Sequence, residues 1–315
     1  MRIGVDIGGT KTDAVAIDAG GAMVQQLRLT TGYGSEAVLQ TAVDAVTRVA
    51  ELAGIAVRDA ESIGVGVPGR VDSAAGLVAH AVNLGVDGLD LGGELSARLG
   101  VAVRIENDVN AAALGAYYRL EADGWSAARD HSMAYLNLGT GLAAGIVIAG
   151  RLWRGSRGTA GEIGHIPVDP GGPKCPCGQR GCLELMASGS AITRQWPTDH
   201  PKPAQHLFAA ADAGDPLARE VRQRLLESVA SAVRVLVLTV DVDMVVIGGG
   251  ISTLGSPLLH GVKAVLAHRA TQSPFLASLE LADRVQLVPA GFPSAAVGAA
   301  LVGAASIGGI VVGAA

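Results

Sequence analysis

The stretch MRIGVDIGGTKTDAVAIDAGG (residues 1–21) decides the fold, because it has the pattern of a strand, a glycine turn and a second strand. The stretch AYLNLGTGLAAGIVIAGRLWRG (residues 134–155) has the same pattern. The two align with a constant offset of 131 residues, so that Ile17 corresponds to Ile148. We interpret this as an internal duplication in which one hairpin opens each half of the chain. Coincidence between two glycine-containing hairpins is the alternative.

The segments that follow the hairpins alternate between helix and strand patterns. SEAVLQTAVDAVTRVAELAG (residues 35–54) predicts a helix with Ser35 as its N-cap and Gly54 beyond its end. VAVRIEND (101–108) and DMVVIGGGIS (243–252) are apolar strands that run into polar or glycine-rich turns. Strands that alternate with helices through short turns favour an α/β fold with largely parallel sheets.

The composition fits a folded protein of two domains. The chain has 315 residues, of which 49% are hydrophobic and 17% charged, and its formal net charge is −5. Because it has no run of Lys and Arg, we expect no nucleic-acid partner. The N-terminus reads as a strand rather than a signal peptide, and three cysteines cannot all pair, so we expect a reduced, cytoplasmic protein.

The C-terminal stretch VGAALVGAASIGGIVVGAA (297–315) is long and apolar enough to raise the question of a membrane span. It is rich in Ala and Gly, lacks flanking Lys, Arg, Trp and Tyr, and is interrupted by Gly308 and Gly309. We therefore expect no membrane association. The prediction is a buried helix from about Ser294 to Ala305, followed by an apolar tail.

Three glycine-rich turns each follow a predicted strand: DIGGTKT (6–12), LGTG (138–141) and IGGG (247–250). Glycine lets the backbone approach a phosphate closely, and successive N–H groups form an anion site. Three such turns in corresponding places of a duplicated chain predict one nucleotide held between two domains. The alternative is that these glycines only form hairpins.

Polar side chains lie beside these turns. Asp6 ends a strand next to the first turn and is suited to hold Mg²⁺ through water. Thr10, Lys11 and Thr140 can donate hydrogen bonds to phosphate oxygens.

The motif IEND (105–108) places Asn107 and Asp108 where a buried strand meets a helix. A carboxylate at such a junction can take a proton from a substrate hydroxyl. Phosphoryl transfer needs little more than this base, positioning and charge neutralisation. Asp108 is therefore our candidate general base. The alternative is an aspartate that only caps the following helix.

All three cysteines lie in KCPCGQRGC (174–182), shortly after His165. Cys175, Cys177, Cys182 and His165 form a Cys₃His set, which is typical of a closed tetrahedral zinc site. Three free thiols or a redox pair are the alternatives. Because cysteines two residues apart form a strained disulfide, the spacing favours structural Zn²⁺.

Together these motifs resemble the ROK family of bacterial sugar kinases and sugar-responsive repressors. The motifs, which cover nearly the whole chain in the family's order, are DIGGTKT, GVPGRVD, IENDVNAAALG, LGTG, GTAGEIGH, CPCGQRGCLE, ASGSAI and VIGGGIS. The resemblance implies an actin/hexokinase-like (ribonuclease-H-like) duplicated two-domain α/β fold with the active site in the cleft. We assign a small N-terminal domain to residues 1–117, with a C-terminal helix of about 294–315 packed back on it. The larger domain, 118–293, would carry the zinc site.

The resemblance also implies roles for individual residues. Asp108 would be the catalytic base, and His165 would give one ring nitrogen to zinc and offer the other to the sugar. The implied substrate-binding residues are Gly69, Arg70, Asn83, Asn107, Glu162, His165 and Glu184. The implied contacts to ATP and Mg²⁺ are Asp6, Gly8, Gly9, Thr10, Lys11, Gly139, Thr140, Gly141, Gly248, Gly249 and Gly250. The implied metal ligands are His165, Cys175, Cys177 and Cys182. Family members commonly form dimers or tetramers.

One turn departs from the family pattern. The second phosphate turn reads GTGLAAG (139–145) where the family kinases usually have GTGxGGG. We expect Ala143 and Ala144 to disfavour a positive φ and to place two Cβ atoms near the phosphates.

The resemblance favours an ATP-dependent kinase for the 6-hydroxyl of a hexose, with glucose as the first choice. The alternatives among enzymes are an N-acylhexosamine, mannose or fructose kinase, or a polyphosphate-dependent kinase. Arg70 bears on this choice, because a similar Arg is seen in N-acylmannosamine kinases. A non-catalytic sugar-sensing regulator is the alternative of another class. The family's repressors carry an N-terminal helix-turn-helix, for which we expect no room before Asp6.

Overall fold

The computed structural model of the chain describes residues 1–125 and 131–302. Their packing defines two compact units. The first unit comprises the described residues within Met1–His131, Gly145–Ala160 and Pro293–Ala315. The second unit comprises Ser132–Ala144 and Gly161–Phe292. The sequence-based division into domains 1–117 and 118–293 stays a prediction; residues 117 and 118 themselves lie inside a helix.

Strands and helices alternate along the chain, as the sequence patterns predict. The strands are β1 (Arg2–Ile7), β2 (Lys11–Ile17), β3 (Met23–Thr30), β4 (Ser62–Val67), β5 (Arg70–Asp72), β6 (Leu77–Ala79), β7 (Leu89–Asp90), β8 (Val103–Asn107), β9 (Ser132–Leu138), β10 (Leu142–Ile148), β11 (Arg151–Leu152), β12 (Met244–Gly248) and β13 (Val285–Leu287). The helices are α1 (Ser35–Leu52), α2 (Leu91–Leu99), α3 (Asp108–Ala122), α4 (Gly189–Gln195), α5 (Pro203–Asp212), α6 (Pro216–Val240), α7 (Ser256–Thr271), α8 (Pro274–Ser278) and α9 (Ser294–Val302).

Two five-stranded sheets have the same topology. Their strand orders are β3-β2-β1-β4-β8 and β11-β10-β9-β12-β13. In the first sheet β1 is antiparallel to β2 and parallel to β4, which is parallel to β8. In the second sheet β12 is parallel to both β9 and β13. A third, smaller sheet has the order β5-β6-β7.

The two hairpins that open these sheets keep the predicted offset of 131 residues. The first strand of each ends at Ile7 and Leu138, and the second strand of each begins at Lys11 and Leu142. Equal strand order and equal hairpin bounds support duplication over coincidence, because unrelated hairpins would not share the order of five strands.

The C-terminal helix α9 packs against the first sheet and against α3. Glycines, which have no side chain, make this close approach possible. A Cβ at Gly64 of β4 would lie 1.9 Å from the Ala299 carbonyl oxygen, and one at Gly298 would lie 1.7 Å from the Ala111 carbonyl oxygen. The predicted continuation of this helix beyond Val302 lies outside the described residues.

One predicted helix cap is wrong by a residue. The N-cap of α1 is Gly34 (φ +89°), and Ser35 is already the first helical residue, with no side-chain cap hydrogen bond at this end. The prediction failed because glycine can adopt the extended, positive-φ backbone needed here, so a serine oxygen was not required. The stop at Gly54 is confirmed, since it follows the helix end with φ +70°.

Membrane crossing would need a long apolar helix. Within residues 1–125 and 131–302, every helix is too short or too polar to cross a bilayer. The part of the apolar C-terminal stretch that is described, up to Val302, belongs to the largely buried α9.

Candidate active site and metal centre

The end of β1 carries a half-buried carboxylate, Asp6. Burial, followed by the negative charges of Asp108 and Asp13, raises the pKa of Asp6 to about 8. Asp13, the cross-strand neighbour of Asp6 on β2, forms a bidentate ion pair with Arg28 at 2.7 and 2.9 Å. Asp6 and Asp108 are therefore close enough at one end of the first sheet for their charges to repel, and a bound cation would stabilise the ionised form of Asp6.

The first glycine turn follows directly. Gly8 N donates to the Lys11 carbonyl oxygen at 2.9 Å, which closes the turn between β1 and β2. Asn83 lies against this turn, because a Cβ added at Gly9 would be 3.2 Å from its Cβ. A predicted phosphate-binding turn and a predicted sugar-binding residue are thus neighbours. The turn residues Thr10 and Lys11 are exposed.

Asn107 ends β8, and Asp108 begins α3. The side-chain oxygen of Asn107 accepts from Val109 N (3.0 Å) and Asn110 N (3.2 Å), so Asn107 is the helix cap. Asp108 is therefore the first helical residue rather than the N-cap, although its Oδ1 also accepts from Val109 N at 3.0 Å, and its role as base stays a prediction. Asn107 Nδ2 also donates to the Gly69 carbonyl oxygen at 3.3 Å, which joins two predicted substrate residues.

Gly69 requires glycine for two reasons. Its φ is +100°, and a Cβ would lie 2.8 Å from the Ala79 carbonyl oxygen. The next residue, Arg70, begins β5 opposite Ala79 and is exposed. Gly69 therefore sets the point at which the chain leaves β4 and enters the small sheet with Arg70 at its start.

A buried ion pair behind this junction was missed by the sequence analysis. Glu106 has a side chain that is only 1% exposed, and its Oε2 accepts from Nε (2.9 Å) and Nη2 (2.6 Å) of Arg154. The motif IEND was recognised, but the burial of Glu106 was not predicted. Side chains alternate along a strand, so Glu106 is expected on the face opposite the buried Ile105. Nothing local in the sequence points to Arg154, which is 48 residues away.

In the second unit, the segment that follows the last cysteine makes hydrogen bonds to the β9–β10 turn. At the start of α4, Gly189 N donates to the Gly139 carbonyl oxygen (2.8 Å) and Ser190 N to that of Thr140 (3.2 Å). The Glu184 carboxylate accepts from Leu142 N at 3.0 Å. This contact was not predicted, and it places one oxygen of a predicted sugar ligand on the predicted phosphate turn.

The GEIGH segment (161–165) lies against β10. A Cβ at Gly164 would be 2.0 Å from the Leu142 carbonyl oxygen, and one at Gly161 would be 1.8 Å from that of Ala144. These two glycines therefore let the segment lie on the strand. Glu162, between them, is exposed, and His165 directs Nδ1 towards Cys175.

The expected backbone effect of the two alanines is wrong, whereas the placement of their Cβ atoms near the phosphates stays a prediction. Ala143 and Ala144 lie inside strand β10, and neither has a positive φ. Ala144 N donates to the Gly161 carbonyl oxygen at 2.8 Å, and its side chain is part of the core. Any residue adopts this extended backbone, so the departure from the family pattern carries no backbone strain.

The third glycine turn lies beside the second. β12 ends at Gly248, where a Cβ would be 2.0 Å from the hydroxyl oxygen of Tyr135 on β9. Gly249 N donates to the same hydroxyl at 3.1 Å, and Gly249 has φ +80°. A Cβ at Gly249 would also lie 2.6 Å from the Leu138 carbonyl oxygen. The predicted adenosine and phosphate turns of the second unit are therefore adjacent.

The Cys₃His set forms a compact cluster. One ligand atom from each of His165, Cys175, Cys177 and Cys182 lies within 4.8 Å of all the others. Cys175 Sγ is 3.9 Å from His165 Nδ1, and Cys177 Sγ is 3.6 Å from Cys182 Sγ. With Zn–S bonds of about 2.3 Å, ligands of a tetrahedron lie about 3.8 Å apart. The residues therefore fit a zinc ion.

Two further observations agree with a metal rather than a disulfide. All three cysteines are free thiols. Hydrogen bonds from the Gln179 backbone, then from Cys175 and the Gln179 side chain, lower the pKa of Cys177 to about 6. Burial, followed by the hydrogen bond with Cys177, raises the pKa of Cys182 to about 12. Within this pair the thiolate is therefore favoured on Cys177, and thiolate is the form that binds metals.

The fold and the motifs of this chain are those of a known protein family. Residues 2–306 match the model of the ROK family. The chain belongs to the ROK family. This ROK protein is 33% identical over 280 residues to a glucokinase from Halalkalibacterium halodurans, with 83% of each chain covered.

Two solved structures have a similar fold. A ROK hexokinase from Thermus thermophilus gives a TM-score of 0.78 at 31% identity and covers 96% of this chain and 97% of that one. A ROK family glucokinase from Streptomyces griseus, solved in complex with glucose and AMPPNP, gives 0.77 at 30% identity, with coverage of 96% and 98%. The predicted actin/hexokinase-like fold is confirmed.

Proposed function

We propose that this ROK protein is an ATP-dependent hexokinase-class enzyme that phosphorylates the 6-hydroxyl of glucose. The observation that carries the proposal is the position of Asp108, at the first turn of α3 and close enough to Asp6 to raise its pKa. A base beside an acidic cation-binding group is what phosphoryl transfer requires. The similarity to glucokinases supports glucose as the sugar and ATP as the donor.

In the proposed reaction, Asp108 takes the proton of the sugar 6-hydroxyl while that oxygen bonds to the γ-phosphorus of ATP. The bond from this phosphorus to the bridging oxygen breaks, and ADP leaves. Asp6 would hold Mg²⁺ through water, and that ion, when bound, neutralises charge on the phosphates. Gly8, Gly9, Thr10 and Lys11 would contact phosphate oxygens.

The second unit supplies the remaining contacts in this proposal. Gly139, Thr140 and Gly141 would contact the phosphates, and Gly248, Gly249 and Gly250 the adenosine side. The sugar hydroxyls would be held by Gly69, Arg70, Asn83, Asn107, Glu162, His165 and Glu184. Since Glu184 already accepts from Leu142 N through Oε2, its other oxygen would serve the sugar.

Zinc belongs to this proposal as a structural ion. Cys175, Cys177, Cys182 and Nδ1 of His165 would hold it, which leaves Nε2 of His165 for the sugar. Metal coordination fixes the tautomer and the orientation of an imidazole. We further propose a cytoplasmic homodimer or homotetramer.

The test is ADP release with Mg·ATP over glucose, mannose, fructose, N-acetylglucosamine and N-acetylmannosamine. Asp108→Asn is run beside the wild type, with Asp215→Asn, the cap of α6, as a control carboxylate at a helix start. We expect turnover on glucose, a loss of more than about 10²-fold in kcat for Asp108→Asn, and no such loss for the control. Turnover with polyphosphate but not with ATP would overturn the assignment of ATP as the donor. The absence of turnover with any sugar or donor would overturn the assignment as a kinase.

A further inference from the structure

The buried carboxylate of Glu106 stands immediately before the two residues assigned to substrate and chemistry. Its Oε1 accepts from the backbone N–H of Asn107 (3.0 Å) and from Asn110 Nδ2 (3.1 Å). Its Oε2 accepts both contacts from Arg154. All four hydrogen bonds therefore converge on one side chain at the junction between β8 and α3.

This network holds Asn107 at three points. Its backbone N–H is bonded to Glu106, its Oδ1 caps α3, and its Nδ2 is bonded to the Gly69 carbonyl oxygen. Asp108 is the next residue, so the position of its Cα follows from these contacts. A carboxylate so deeply buried needs a cation, because an unpaired buried charge is strongly unfavourable. Arg154 supplies that cation.

We propose that Arg154, acting through Glu106, is a positioning residue that holds Asp108 in its reactive orientation. Arg154 follows β11, within the segment Gly145–Ala160 that joins the first unit from later in the chain. The inference rests on the proposed function, because it assumes that Asp108 is the base. Loss of the guanidinium leaves the Glu106 charge buried, and the junction shifts or loosens. Displacements of about 1 Å cost on the order of 10²-fold in rate.

The structure offers a matched control. Arg98 also makes a two-pronged contact with a glutamate, Glu36, at 2.8 and 2.8 Å. The two arginines are equally accessible, with side chains 29% exposed for Arg154 and 30% for Arg98. Glu36 is 74% exposed and lies in the first turn of α1 rather than at the β8–α3 junction. Arg98→Met therefore removes a similar ion pair without touching Glu106.

The experiment compares kcat, both KM values and Tm for Arg154→Met, Arg154→Lys, Glu106→Gln and Arg98→Met. We expect Arg154→Met to lower kcat by about 30-fold or more, with KM values changed less than about 3-fold. Arg154→Lys should recover part of the loss, and Arg98→Met should keep kcat within about 2-fold. Glu106→Gln keeps an oxygen for Asn107 and loses the ion pair, so its kcat should resemble that of Arg154→Met. The double variant with Glu106→Gln and Arg154→Met should have a kcat no lower than that of either single variant, because both substitutions remove the same interaction.

Equal kcat values in Arg154→Met and Arg98→Met, with any loss confined to Tm, would overturn the inference. If Arg154→Met does not fold, Arg154→Lys against Arg98→Lys gives the same comparison. Asp108→Asn separates the two proposals. Full activity in that variant would refute the assignment of Asp108 as the base. An inactive Asp108→Asn beside a fully active Arg154→Met would refute only the positioning role of Arg154. Without turnover in the wild type, hydrogen exchange of the peptide 105–112 decides. Exchange in Arg154→Met no faster than in Arg98→Met sinks the idea.

Discussion

The glycine turns of the two hairpins occupy corresponding places, 131 residues apart, but a different residue stands before each. Asp6 precedes the first turn, and Asn137 takes its place in the second. The carboxylate of Asp6 has a pKa raised to about 8. The neutral amide of Asn137 instead lies against glycines, since a Cβ at Gly249 would be 2.6 Å from its Oδ1.

The supports of the two turns differ as well. The first turn closes on itself through Gly8 N and the Lys11 carbonyl oxygen. The second receives hydrogen bonds from the start of α4 and gives one to Glu184, within the segment that follows the Cys₃His cluster. The duplicated backbone has thus been used in two ways. One copy carries an ionisable carboxyl group, and the other is a neutral turn held in place by its neighbours.

The largest expected effect comes from exchanging the two residues that differ. Asp6→Asn makes the first turn like the second, and we expect kcat to fall by about 10²- to 10³-fold because a charge that acts on the transferred group is lost. Asn137→Asp makes the second turn like the first and should mainly raise the KM for ATP, by about 10-fold, through repulsion of phosphate. Steady-state kinetics with Mg·ATP measures both. Equal changes in the two variants would contradict the division of roles.

Loss of the proposed zinc ion should affect the second turn and spare the first. Cys182→Ser removes a buried ligand, so we expect zinc content to fall below one ion per chain and Tm to fall by about 5–10 °C. Hydrogen exchange should rise in residues 138–142 and 182–190, because Glu184 and α4 follow the metal loop. Exchange in residues 2–17 is the internal control. A uniform rise over both hairpins would argue against a local connection.

Glycine substitutions should distinguish the supports. A Cβ at Gly141 would lie 2.5 Å from the Glu184 carboxylate oxygen, whereas one at Gly8 would lie 3.0 Å from the Lys11 carbonyl oxygen. We expect Gly141→Ala to displace Glu184 and to raise the KM values for sugar and ATP by about 10-fold each. Gly8→Ala should raise only that for ATP. An unchanged sugar KM in Gly141→Ala would show that Glu184 does not connect the two substrates.

The raised pKa of Asp6 predicts a pH dependence of stability. Between the unfolded value of 3.8 and about 8 the folded state holds a proton that the unfolded state has released, so stability falls as pH rises through this window. Asp6→Asn removes that dependence. In Mg²⁺-free buffer without chelator, we expect the Tm of the variant to exceed that of the wild type by about 5 °C at pH 8.5 and by less at pH 5. A constant difference across this range would contradict the raised pKa.

The smallest effect is expected where the turn departs from the family pattern. Ala143 lies in a regular strand, so Ala143→Gly should leave the KM for ATP within about 2-fold and should lower stability by about 0.5–1 kcal/mol. A large gain in ATP affinity would show that the Cβ atom obstructs the nucleotide. Denaturant unfolding measures the change in stability, and steady-state kinetics measures the KM for ATP.

Much of the fold could be predicted from local patterns. The hairpins, their offset, the helix over 35–54 and the strands that end at Asn107 and Gly248 follow from periodicity and turn residues, and the structure confirms them. The grouping of His165 with the three cysteines could likewise be predicted, because Cys-x-Cys spacing is local in sequence, and the structure places the four side chains together. The N-cap of α1 was missed since the choice between Gly34 and Ser35 depends on a backbone angle.

The sequence by itself determined the duplication, the α/β class and the candidate chemistry at Asp108, because these depend on residue type and short spacing. Tertiary structure alone decided which polar groups meet. It brought Arg154 to Glu106 and Glu184 to Leu142 N, and it raised the pKa of Asp6. The physical reason is that hydrogen bonds and burial depend on packing between segments distant in the chain. Local periodicity carries no information about that packing.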